Sequence, residues 1–168
     1  SGFWTCFHHD TMDLFGIEAY LTKMYTHPEL VHAAMDRVCA FYYEANERFF
    51  DAAGDLIDAY FLGNDFGTQL NLVCTPPQFQ EFIVPRLQKF AEQGHRRGYQ
   101  VIMHSCGAIH SVIDMIVDAG IDCLHPLQAR AHDMNADVLA NDFKGRVAFM
   151  GGVDTQELLV SGSPEDIE

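Results

Sequence analysis

The sequence predicts an α/β fold built on a parallel sheet. Three observations predict it. Helical stretches that end at Gly alternate with short apolar runs, and polar loops then open the next helix. The apolar runs are nearly continuous, which suits parallel strands covered on both faces. Residues with chemistry to offer gather just after those runs, where parallel α/β sheets carry their sites.

The elements follow in chain order. Phe3–Phe7 reads as a first strand. Pro28 opens a helix whose apolar face runs through Val31, Ala34, Val38, Phe41, Ala45 and Phe49. Gly54 ends it, and Ile57–Leu62 is the next strand. Thr75-Pro76-Pro77 starts a helix with Phe79, Phe82, Ile83, Leu87 and Phe90 on one side. Pro85 lacks an N–H, so it should kink that helix or split it in two. After Gly98 comes the strand Val101–His104. A stripe of Ile109, Val112, Ile113 and Ile116 then predicts a helix with Asp114 and Asp118 outward. Gly120 precedes the strand Ile121–Leu124, and Gly145 precedes Val147–Met150. Ser163 and Pro164 read as the N-cap and first residue of one more helix. A chain that stops there is expected to be a piece of a longer protein.

The chain has 168 residues and is 48% hydrophobic, enough for one buried core. Its formal net charge is -14. Nucleic acids and anionic membranes both demand a basic face, so neither is an expected partner. No apolar run approaches the roughly 20 residues of a membrane helix, and no signal peptide is visible. Cys6, Cys39, Cys74, Cys106 and Cys123 are odd in number and scattered, which predicts reduced thiols in a cytoplasm.

The sharpest local signal is His104-Ser105-Cys106-Gly107. In extended backbone, residues i and i+2 point the same way. An imidazole and a thiol therefore aim at one point, just past a strand end. Such a pair is half of a zinc site, or a nucleophile with its base. Other strand ends add His8, His9 and Asp10; Asn64, Asp65, Thr68 and Gln69; His125, Gln128 and Arg130; and Asp154, Thr155 and Gln156. No GxGxxG or Walker-type loop is present, and Gly151-Gly152-Val153-Asp154 lacks the phosphate-loop lysine.

Four segments together resemble the uroporphyrinogen decarboxylase superfamily. They are Leu62-Gly63-Asn64-Asp65-Phe66-Gly67-Thr68-Gln69, His104-Ser105-Cys106-Gly107, Leu124-His125-Pro126-Leu127-Gln128, and Phe149-Met150-Gly151-Gly152-Val153-Asp154-Thr155-Gln156. The resemblance is nearest to the corrinoid-dependent methyltransferase-like branch. It implies a (β/α)8 TIM barrel, here partial. Residues 1–168 would form a single partial barrel domain with about five strands, lacking the first two strands and the last. Their places after strand ends put forward Asp65, Gln69, Gln128 and Asp154 as catalytic residues, and the resemblance implies His104 and Cys106 as zinc ligands. The family's third ligand is a later Cys, expected beyond Glu168, with Cys6, His8 and His125 as weaker substitutes. Cys123 should belong to the core. The implied reaction moves a methyl group between a corrinoid (cobalamin-type) cofactor and a thiol. A small thiol or methylated substrate and a corrinoid protein are then the partners, and a homo-oligomer is allowed.

Two alternatives stand beside this reading. One is a cofactor-free uroporphyrinogen decarboxylase of porphyrin biosynthesis. That enzyme relies on an N-terminal arginine-rich segment and an aspartate that this chain does not contain. A substrate so rich in carboxylates should also meet several basic groups, whereas the strand-end loops offer essentially Arg130. The other alternative is a truncated, non-catalytic barrel.

Overall fold

A computed structural model describes residues 3–167. Its centre is one four-stranded sheet: β1 (Ala59–Gly63), β2 (Gln100–His104), β3 (Cys123–Leu127) and β4 (Ala148–Gly151). The strands are parallel and ordered β1-β2-β3-β4. Sequential order is that of a barrel section; a doubly wound sheet reverses direction at a switch point.

Three helices precede the sheet: α1 (Phe7–Phe15), α2 (Ile17–Thr26) and α3 (Pro28–Ala53). Between β1 and β2 lie α4 (Pro76–Gln78), a five-residue π turn over Phe79–Ile83, and α5 (Val84–His95). Pro85 thus splits the helix as predicted. The wide turn lies just before the residue that has no N–H to give. Next come α6 (Ile113–Asp118), α7 (Ala136–Phe143), α8 (Leu158–Ser161) and α9 (Pro164–Ile167). The loop glycines Gly54, Gly98, Gly120 and Gly145 all have positive φ, as their places after helices required.

The core lies between one face of the sheet and the helices. Tyr60, Leu62, Val101, Met103 and Leu124 are buried there against Leu87 and Phe90 of α5 and Ile113 and Ile116 of α6. Phe50 meets Tyr60 and Tyr99 edge-on, each at 5.2 Å between ring centres. The opposite face, with Phe61, Ile102, Cys123 and His125, is half-buried. The strands are therefore covered fully on one side only among the described residues. Cys123, expected in the core, stands half-exposed, paired in register with Ile102.

Three expectations are corrected. Phe3–Phe7 is not a strand: Thr5 turns at φ 57°, and Phe7 already begins α1. Trp4 still lends its carbonyl to the Gly63 N–H at 2.7 Å, so the segment runs beside β1 without pairing along it. Among the described residues the strand count is four rather than five. The buried face of α3 is also offset by about one residue. It runs through Val31, Met35, Cys39, Asn46 and Phe50, and Phe41 is 66% exposed.

Candidate metal centre

Parallel register builds the site. Gly63, His104 and His125 occupy one row across β1, β2 and β3. Asp65 and Cys106 each lie two residues beyond that row, so the end of β1 delivers a carboxylate beside the thiol. The two loops are pressed together by glycines. A Cβ on Gly107, whose φ is +84°, would sit 2.4 Å from the Gly67 backbone. The Ala108 N–H donates to the Thr68 carbonyl at 2.7 Å and locks the contact.

Within this frame His104 Nε2 lies 3.4 Å from Cys106 Sγ and 3.2 Å from Asp65 Oδ1. The Cys106 N–H donates to the same Asp65 oxygen at 2.8 Å. One ligand atom each from Asp65, His104 and Cys106 fall within 4.8 Å of one another, and all three side chains are half-buried. His104 Nδ1 faces His125 Nδ1 at 3.0 Å. Trp4 packs beside His104, ring centres 5.0 Å apart.

The electrostatics suit a cation. The hydrogen bond from His104, then that from the Cys106 amide, hold the Asp65 carboxyl down at about 2 against the effect of burial. Burial, then the Asp65 charge, push the Cys106 thiol above its usual range. Burial, then the His104 charge, keep the His125 imidazole below its usual range. A thiolate beside this carboxylate is unfavourable until a positive ion offsets both charges. The N, S and O donors are those zinc takes, and three protein ligands are what an open catalytic site uses.

The other expected site residues share this rim, since all follow carboxyl ends of sequential parallel strands. Gln128 Oε1 accepts the buried Gly107 N–H at 2.7 Å. Asp154 Oδ1 accepts the N–H groups of Gln156 and Glu157, and its Oδ2 takes Arg130 Nε at 2.7 Å. Arg130 also reaches Glu157. Gln69 is exposed and accepts from the Gln156 amide at 3.1 Å. His8 lies elsewhere: it is fully buried, with Nδ1 3.0 Å from the Tyr20 hydroxyl. Cys6 senses the Asp65 charge, and burial with Asp10 and Asp65 raises its thiol to about 11. Neither residue is in the three-donor group, and nor is His125. Sequence reading named Asp65 but not its place beside His104 and Cys106, and it passed over Trp4.

The family model of uroporphyrinogen decarboxylase (URO-D) matches residues 12–168, and the chain belongs to that family. The sheet is accordingly part of a (β/α)8 barrel. No curated protein matches the chain. A solved structure, a methyltransferase from Methanosarcina mazei, is similar at TM-score 0.61 and 18% identity. The match covers 86% of this chain and 40% of that one, so the chain spans well under half the length of that methyltransferase. Among the described residues, no helix is long and apolar enough to cross a membrane.

Proposed function

We propose that this chain carries the thiol-activating part of a methyltransferase that moves a methyl group between a corrinoid and a thiol. The observation that carries the reading is the approach of His104 Nε2 to Cys106 Sγ, 3.4 Å, on the carboxyl rim of a URO-D family sheet. His104 and Cys106 would hold zinc, which lowers the pKa of a bound substrate thiol toward neutrality. Gln128 is a positioning residue. By accepting the Gly107 N–H it fixes the turn that presents Cys106. Asp154 positions the β4 loop through its turn and through Arg130. Gln69 is the exposed amide the rim offers to substrate. The decarboxylase alternative needs free basic groups for a polycarboxylate, and Arg130 is already paired with Asp154 and Glu157.

The test compares the protein with its His104→Ala and Cys106→Ser variants. Zinc content and methylation of a small thiol by methylcobalamin are measured. Both should be lost in both variants. Unchanged zinc and unchanged methylation would reject the reading and favour a cofactor-free, decarboxylase-like activity.

A further inference from the structure

We infer that Asp65 is a third protein ligand of this centre, so that the described residues bring together a mixed N/S/O donor set. The inference rests on the reading of His104 and Cys106 as the metal pair. It departs from the expectation of a Cys ligand from beyond Glu168.

Three observations carry it. Asp65 Oδ1 lies 3.2 Å from His104 Nε2, the same nitrogen that faces Cys106 Sγ. That nitrogen therefore already points between the other two donors. Strand register fixes the arrangement, because Asp65 and Cys106 stand at equal offsets beyond the paired residues Gly63 and His104. The loops that carry them are locked at Gly67 and Gly107, where neither backbone leaves room for a Cβ. The donors are thus preorganised. Their charge also fits: a carboxylate and a thiolate with a neutral imidazole sum to two negative charges, which a divalent ion neutralises. Zinc and its substitute cobalt accept such a set with an open fourth position.

A purely structural role for Asp65 is the rival. Its carboxylate accepts the Cys106 N–H and so shapes the loop. Asp65→Asn separates the two roles. The amide oxygen can still accept that N–H, but a neutral amide is a poor ligand for a borderline-soft ion. The experiment titrates the reduced 168-residue chain with Co(II) and reads the sulfur-to-cobalt charge-transfer band and the d–d bands. The wild-type chain should bind Co(II), and Cys106→Ser should abolish the charge-transfer band. Asp65→Asn should weaken binding by about tenfold to a hundredfold or more, at least the effect of losing an outer-shell partner. It should also alter the d–d bands, which the modest drop in thermal midpoint from losing the carboxylate's bond to His104 does not by itself produce. Asp65→Cys should restore affinity and add charge-transfer intensity. Wild-type affinity and spectrum in Asp65→Asn would overturn the inference, and so would a wild-type chain that binds no Co(II). The two readings fail separately. Dependence of Co(II) binding on Asp65 without any thiol methylation removes only the methyltransferase reading. Methylation and zinc that depend on His104 and Cys106 but not on Asp65 remove only this inference.

Discussion

Gly107 shows how narrow the tolerance of the site is. Its φ is +84°, and a methyl group there would run into the Gly67 backbone at 2.4 Å. Gly107→Ala should therefore cost more than about 1 kcal/mol. Thermal unfolding should show a lower midpoint, with Co(II) affinity falling alongside, since the Cys106 turn must shift. Gln128→Ala acts on the same residue from the other side. It strips the buried Gly107 N–H of its acceptor, at a cost of about 1–3 kcal/mol. Denaturant unfolding should register that loss, and an unchanged stability would mean that the loop finds another acceptor. The His104–Cys106 pairing was legible in the sequence because two-residue periodicity is local. The partnership with Asp65 was not, because Asp65 and His104 stand 39 positions apart in the sequence and only the register of β1 on β2 brings them together.

At the scale of elements, hydrophobic pattern located the four strands and helices α3, α5 and α6, but not α1, α2 or α7, nor every face or boundary. On α3 a polar residue misled the reading. Asn46 is fully buried because its amide donates to the Tyr60 hydroxyl at 2.9 Å and to Thr5 Oγ1 at 3.3 Å. A satisfied polar group can sit in a core, and apolar counting then chooses the neighbouring stripe. Phe3–Phe7 failed for a related reason. Its composition suits a strand, yet Thr5 at φ 57° breaks the extended path, and no pattern of side chains announces that angle. Signals carried by single residues did better, as Pro85 and the loop glycines did. Asn135 is a signal of the same kind that the sequence reading passed over, together with the helix it starts. It caps α7 by accepting the Val138 N–H at 3.0 Å. Asn135→Ala should destabilise the protein by about 1 kcal/mol. Thermal denaturation should show it, with Co(II) binding unchanged because α7 holds no donor of the centre.

The whole molecule is acidic, and its response to acid turns on one buried base. His8 is fully enclosed, ringed by Tyr20 and Phe66, and among the described residues its Nε2 has no hydrogen-bond partner. Burial, then the neighbouring charge of His9, drive its pKa from the usual 6.5 to about 3. Folding thus holds His8 neutral where the unfolded chain would protonate it. The unfolded state binds the extra proton between those two values, so stability falls as pH falls through that window. The slope from this group is about 1.4 kcal/mol per pH unit. The Asp65 carboxyl, held at about 2, adds its own loss as pH falls from about 5 toward 2, where the unfolded carboxyl protonates first. Between pH 6.5 and 5 the carboxylates stay largely ionised, and the histidines dominate. Urea unfolding across that interval should show the wild-type protein losing stability more steeply than His8→Gln, by close to one proton's slope. His8→Gln lowers stability at neutral pH if the bond to Tyr20 weakens, but that offset leaves the difference in slope intact. Parallel curves would mean that His8 takes up its proton in the folded state, and the enclosed, neutral imidazole would have to be given up.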